Sequence, residues 1–472
     1  MYDPAPLRAA ARYAEAFLAS LPDRPVRATA DAARLRESLG GPLPEMGIAP
    51  ERVIDELARG ADPGIIASAG PRFFGFVIGG SLPAALAADW LTSTWDQNAG
   101  LYAASPAASV VEETAATWLL DLLGLPPDSG VGFVTGCQMA HFTCLAAARH
   151  AVLRQVGWNV EEQGLQGAPR VHVVVSEEAH STVGMALRLL GLGAGTAVRL
   201  PADAQGRLRV DALGPALASC SGPTIVCAQV GNVNSGACDA MPEVIAAARA
   251  HGAWVHVDGA FGLWAHTSER RRALVAGVEG ADSWATDAHK WLNVPYDNGV
   301  AIVREAAALH AAMAVGGEYL IKGAGEVRDE LDWVPEFSRR ARGFTVYAAL
   351  RSLGRRGVAD LIDRTCDIAK RMVERLATAP GVEVLNDVAL NQVLVRFAPP
   401  GGGDADAFTR DVVSRVQDDG TCWLSGSTWH GRAVMRISIS GWATSEADAD
   451  RSVTAIFRAA EGSVTSSGGR VR

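Results

Sequence analysis

From about residue 105 to about 310, strand-like and helix-like segments take turns, and that alternation leaves few folds open. A helix over Val110–Leu123 closes at Gly124 and Pro126. A short strand at Gly132–Val134 and a helix over Gln138–His150 come next. The strand Val171–Val175 precedes a helix over Ser181–Leu190. The strand Thr224–Val230 precedes a helix over Pro242–Ala250, and Ala253–Val257 is a further strand. Apolar strands joined through helices build a mainly parallel sheet covered on both faces, an α/β architecture. Ligands of such sheets bind beyond the carboxyl ends of the strands, so residues there are the first candidates for chemistry.

Those positions carry reactive side chains. Asp258 ends the strand 253–257, Asn232 follows 224–230, and His180 follows 171–175. The run Thr286-Asp287-Ala288-His289-Lys290-Trp291 sets a lysine among apolar neighbours, where burial is expected to lower its pKa. A lysine amine condenses with an aldehyde, and a buried carboxylate keeps a pyridine nitrogen protonated. Pyridoxal phosphate chemistry needs both groups. Val134-Thr135-Gly136-Cys137-Gln138 joins a strand to a helix, and free amides at a helix start suit a phosphate.

Each residue also has a plainer reading. Roughly nine lysines in ten lie at a surface. Asp258 can cap a helix or pair with a cation, and His180 can face solvent beside a capping Ser181. His289 can be a core histidine, and Asn232 and Asn234 ordinary turn residues. The order of the five signals, all at strand ends, favours the functional reading.

Composition removes other classes. A net charge of -9 argues against nucleic acid, whose phosphates demand clustered Lys and Arg. Residues 129–148 and 212–238 lack Asp, Glu, Lys and Arg, but Gly, Ser and Asn interrupt them, so they read as buried strand and loop and not as membrane spans. Seven cysteines without a CxxC pair fit reduced thiols in a cytoplasmic protein. No metal site is expected.

At 472 residues the chain exceeds one compact core. Residues 5–20 and 49–59 read as helices, and the first lacks a core of its own. Beyond 349 the pattern changes: helices at 357–378, 405–418 and 445–460 accompany strands at Val382–Leu385, Gln392–Phe397 and Ala433–Ile439. The expected organisation is a helical dimerisation arm (1–72), a large cofactor-binding domain (73–348) and a small α+β domain (349–472). The Ser- and Gly-rich tail from Gly462 is expected to fray.

Further segments carry a resemblance. Pro71-Arg72-Phe73-Phe74-Gly75-Phe76, Ala104-Ser105-Pro106-Ala107, Ala285–Trp291, Trp333-Val334-Pro335, Arg339-Arg340-Ala341-Arg342 and Met435-Arg436-Ile437-Ser438 span nearly the whole chain. In this order they resemble the group II pyridoxal-phosphate-dependent amino acid decarboxylases. The resemblance implies a fold-type-I, aspartate aminotransferase-like architecture, and a homodimer with active sites at the interface. It implies pyridoxal 5'-phosphate as cofactor, with Lys290 as the Schiff-base lysine, Asp258 on the ring nitrogen, His180 stacked on the ring and His289 beside the lysine. Gly136, Cys137 and Gln138 would serve the phosphate, Ala260 would pack on the ring, and Asn232 and Asp287 would complete the cofactor site. An ionised Asp287 beside a phosphate would repel it.

Two departures stand out. Cys137-Gln138-Met139 replaces the small residues usual in the family's phosphate loop. Glu330 falls where animal and plant decarboxylases carry a loop tyrosine that protonates the carbanion, which makes Glu330 a candidate proton donor along with His180. The reaction expected is decarboxylation of an L-amino acid, aromatic or bulky and neutral if Phe74, Phe76 and Tyr102 line the pocket; Asn98 would favour a polar side chain. An aldehyde synthase or a carbon–carbon lyase on the same fold is the alternative.

Overall fold

A computed structural model of the chain describes residues 3–316 and 327–462. Apart from Gly462, the tail expected to fray lies outside the described residues. The strands in chain order are β1 (Phe73–Phe74), β2 (Gly130–Val134), β3 (His172–Ser176), β4 (Val198–Leu200), β5 (Thr224–Gln229) and β6 (Trp254–Asp258). They continue with β7 (Ser283–Asp287), β8 (Gly299–Val303), β9 (Val382–Val384), β10 (Gln392–Phe397), β11 (Trp423–Trp429) and β12 (Arg432–Ser438).

The chain divides into two compact units. One comprises Gly79–Lys370 with Leu385–Leu394. The other comprises Met1–Ile78, Arg371–Val384 and Val395–Arg472. These units differ from the three consecutive segments expected, for a physical reason. β1 pairs in parallel with β11, Phe73 opposite Trp423. The buried Arg72 guanidinium donates to the carbonyls of Pro22, Arg24 and Thr421. Backbone pairing and a buried cation thus bind the N-terminal segment to the C-terminal one.

In the larger unit the sheet order is β2-β8-β7-β6-β5-β3-β4. β3 pairs in parallel with β4 and β5, and β5–β6 and β6–β7 are also parallel. β8 alone runs against its neighbours β2 and β7. Sequence reading missed β7 and β8 as strands. Every residue of β2, β5, β6, β7 and β8 is buried, as strands covered on both faces must be, so no alternation of polar and apolar residues marks them. The helix Cys137–Arg154 packs on this sheet with most of its side chains buried, Cys144 and Leu145 among Ile225, Ala285 and Ala301. Each fully buried Leu or Val contributes about 1.5–3 kcal/mol of transfer free energy.

Register brings the strand ends together. Gln229 lies opposite Asp258, Asp287 opposite Gly299, and Gly299 opposite Val134. Gly299 has to be small: a Cβ there would stand 2.4 Å from the Gly136 carbonyl carbon.

The smaller unit holds a sheet of order β1-β11-β12-β10-β9. β11 and β12 form a hairpin through His430 (φ 47°) and Gly431 (φ 75°), the two positive φ values of a type I′ turn. The helices Ala5–Ser20, Ala32–Leu39, Pro50–Ala61, Ala405–Asp419 and Glu446–Gly462 also belong to this unit. The helical stretch Gly343–Leu376 is broken at Gly354 (φ 60°, ψ 177°).

Candidate active site

β6 delivers Asp258 to the carboxyl edge of the sheet, and the turn after β7 delivers His289 and Lys290 to the same edge. Both groups line one cavity of about 270 Å³, near the small end of ligand pockets, which hold roughly 300–1,000 Å³. Its wall also includes Gly136, Cys137, Gln138, His180, Ala260 and Asp287. Nine of the ten residues expected at the cofactor are therefore on this cavity; Asn232 is not. Its Oδ1 accepts from the amides of Asn234 (2.8 Å) and Ser235 (3.2 Å), and its Nδ2 donates to Gln229 (3.2 Å). Asn232 thus holds the turn together, and the turn presents Gly231 and Val233 to the cavity. Sequence reading also missed Thr182, Gln229 and Phe261. Gln229 was within reach, since it is the last residue of β5.

Asp258 is buried. Burial alone would push its carboxyl up, but His141, 3.6 Å away, and then His180 and Lys290 outweigh it and hold it far below the usual carboxylate range. The Ala260 amide donates to its Oδ1 at 3.1 Å. Lys290 departs from expectation. Burial would lower its amine, yet the Asp287 charge, with Oδ2 at 3.0 Å, prevails and holds the amine above the ordinary lysine range. Asp287 also accepts from the Cys137 amide at 2.6 Å, the first amide of the helix whose N-cap, Gly136, has no side chain to offer. His289 lies 3.5 Å from Asp287, accepts from the Asn298 amide at 3.1 Å and packs against the Tyr296 ring. His180 is itself the N-cap of its helix, bonded to the Thr182 hydroxyl at 2.8 Å, in the place expected for Ser181.

Glu330 does not line the cavity. It is buried beside Arg328 at 3.0 Å, with Glu112 and Arg339 near, and burial pushes its carboxyl up to about 8. The substrate candidates are absent from the lining as well. Asn98 accepts from the Arg339 amide, and the Tyr102 amide donates to Asp329. In the smaller unit Phe74 is buried and Phe76, 55% exposed, stacks on Trp423.

The site's donor set fits a phosphorylated pyridine aldehyde. A buried, ionised carboxylate calls for a cationic partner, which a protonated ring nitrogen supplies. A lysine amine shares the cavity with it, and a helix start without a local cap offers amides to a phosphate. Metal binding fits less well, although Cys137, His141 and Asp258 place ligand atoms within 4.8 Å of one another. Burial, and then Asp287 and Asp258, push the Cys137 thiol well above its ordinary range, and a protonated thiol is a weak ligand.

Comparison with known proteins follows the same line. The pyridoxal-dependent decarboxylase conserved domain matches residues 36–398. An aromatic-L-amino-acid decarboxylase of Bacillus atrophaeus is 29% identical over 437 residues, 90% of this chain and 89% of that one. A phenylacetaldehyde synthase of Arabidopsis thaliana is 26% identical over 91% of this chain and 90% of its own. Among solved structures, Oryza sativa TDC with PLP and tryptamine superposes with a TM-score of 0.91 at 26% identity, covering 98% of this chain and 100% of that one.

Proposed function

The chain belongs to the pyridoxal-dependent decarboxylase family, and from that premise we propose that it removes the α-carboxylate of an aromatic or bulky neutral L-amino acid, yielding the amine and CO₂. The observation that carries this is the meeting of Lys290, Asp258 and the helix start at Gly136–Gln138 on a single cavity. When bound, pyridoxal phosphate supplies an aldehyde that condenses with amines and a protonated ring that takes up an electron pair.

The chain's own residues have separable tasks. Lys290 would hold the cofactor through its aldehyde. Asp258 would keep a proton on the ring nitrogen. Gly136, Cys137 and Gln138, at the helix start on the cavity wall, would hold the phosphate, and Ala260 would leave room for the ring. His180, at the cavity wall, is the group positioned to return a proton to the substrate carbon. Glu330, turned into a buried cluster, is the weaker donor candidate. The aromatic preference draws on the relatives' substrates and not on Phe74, Phe76, Asn98 or Tyr102.

One observation favours a second reading. Glu330 stands where the resembling decarboxylases have a tyrosine, and an aldehyde synthase is among the relatives. That reaction consumes dioxygen and releases ammonia and hydrogen peroxide along with CO₂. Assaying CO₂, ammonia and peroxide over a panel of amino acids tests both: CO₂ alone supports decarboxylation, all three support the synthase, and none refutes both.

We also propose a homodimer with active sites at the interface. Leu43 and Met46 are 94% and 81% exposed, and Val53 and Leu57 face outward on the helix Pro50–Ala61. Exposed apolar side chains in such number mark an interaction surface. Sedimentation at monomer mass across micromolar concentrations would refute it. Among the described residues no helix is long and apolar enough to cross a membrane. All seven cysteines are free, in keeping with a reducing, cytoplasmic setting.

A further inference from the structure

Behind Asp258 lies a line of buried polar groups that the mechanism does not use. His141 Nε2, on the helix Cys137–Arg154, lies 3.6 Å from Asp258 Oδ2. Its Nδ1 is 2.8 Å from His256 Nε2 on β6. His256 Nδ1 is 2.9 Å from Ser283 Oγ on β7, and the Trp254 indole N–H donates to that same oxygen at 2.9 Å. His141, His256 and Ser283 are wholly inaccessible.

We propose that His141 is a positioning residue for the cofactor's ring-nitrogen partner: a relay from Trp254 through Ser283 and His256 fixes its tautomer, so that its Nε2–H is aimed at Asp258. This rests on the reading that Asp258 faces the ring nitrogen.

The polarity of the relay follows from donor chemistry. Burial, and then His141, push His256 well below the ordinary histidine range, so its ring is neutral, with one donor and one acceptor nitrogen. The indole N–H only donates, so Ser283 accepts there and its own hydroxyl proton is available to His256 Nδ1. His256 Nε2–H then donates to His141 Nδ1, which leaves His141 Nε2 to carry the N–H that faces Asp258. Reversing the order with neutral rings would point a nitrogen lone pair at a carboxylate. At 3.6 Å the contact to Asp258 exceeds hydrogen-bond length, so the N–H acts on the carboxylate as an oriented dipole. With the Ala260 amide on Oδ1, both carboxylate oxygens are then held from behind.

The test measures cofactor affinity of the full-length apoprotein by absorbance titration. The probes are pyridoxal phosphate and an analogue with carbon in place of the ring nitrogen. Variants are His141→Phe, which removes the donor, His141→Gln, which can restore an N–H to Asp258, Ser283→Ala at the far end, and Asp258→Ala as reference. His141→Phe is expected to weaken pyridoxal phosphate binding tenfold or more and the analogue less than twofold. His141→Gln should recover most of the loss, and Ser283→Ala should give a smaller loss with the same selectivity. Equal weakening of both probes by His141→Phe, or no weakening, overturns the proposal. If His141→Phe does not fold, Ser283→Ala and His141→Gln decide: the proposal falls if Ser283→Ala fails to discriminate between the probes, or if His141→Gln binds both as weakly as Asp258→Ala binds pyridoxal phosphate. Failure of Asp258→Ala itself to discriminate identifies a failure of the underlying reading and not of the relay alone.

Discussion

Asp287→Asn isolates the charge that most affects how this site takes up its cofactor. Asp287 Oδ2 is 3.0 Å from the Lys290 ammonium. At that separation the attraction is about 1.4 kcal/mol at the dielectric constant of water and about 5.5 kcal/mol at an effective value of 20. The Lys290 side chain keeps 22% of its exposure, so the interaction falls between these limits. Each 1.36 kcal/mol changes a protonation equilibrium tenfold, so removing the charge raises the neutral fraction of Lys290 at least about tenfold. Only the neutral amine attacks an aldehyde. Asparagine can still accept from the Cys137 amide that Asp287 now engages at 2.6 Å, and it does not repel a phosphate arriving at that helix start. The larger neutral fraction and the lost repulsion act in one direction. Apo-Asp287→Asn should incorporate pyridoxal phosphate at least about tenfold faster than the parent near pH 7.5, and its rate should level off at lower pH. Stopped-flow absorbance after mixing apoprotein with cofactor across pH 6–10 reads both quantities. A rate equal to or below the parent's, with the same pH profile, refutes the electrostatic argument.

Other expectations can be checked individually. Lys290→Ala should abolish turnover and the yellow, borohydride-bleachable chromophore; retained turnover would remove Lys290 from its role. In Gly79→Ala the new Cβ would meet the Lys290 carbonyl oxygen at 1.8 Å and Asn293 at 2.8 Å, so the lysine turn has to shift. Overpacking of that kind costs about 1–3 kcal/mol, and misplacing a reacting group by about 1 Å costs on the order of 100-fold in rate; a fully active, fully loaded variant would show that the turn yields freely. Glu330 holds its proton to about pH 8 when folded, against roughly 4.3 in an unfolded chain. Between these values the unfolded chain binds fewer protons, so the contribution of Glu330 to stability falls as pH rises. Thermal unfolding should therefore show the parent losing more Tm than Glu330→Gln between pH 5 and 8; parallel curves would deny the shift.

The sequence was most readable where chemistry and strand ends coincide. Asp258, Lys290 and the Gly136 turn sit at breaks between apolar runs, and periodicity marks such breaks. Ser283–Asp287 and Gly299–Val303 went unread: neither shows alternation, and no helix lies between them to set them apart, so the antiparallel β8 inserted between β2 and β7 left no signal. β11 was lost because its turn, His430-Gly431, lacks the Asn-Gly or Asp-Gly signature. Long-range electrostatics were beyond reach too. Nothing in the sequence shows that Asp287 would counter the desolvation of Lys290, or that His141 would stand behind Asp258. Glu330 marks the limit most clearly. Its position relative to Trp333 could be read from the sequence, but the partners that define its chemistry could not. Arg328 is two residues away, whereas Glu112 comes from the helix Pro106–Leu122 and Arg339 lies beyond Trp333. A carboxyl held among those groups, outside the cavity lining, cannot reach a substrate carbon at Lys290 without leaving its burial. His180, which is on the cavity wall where Glu330 is not, is therefore the side chain we propose over Glu330 as the proton donor.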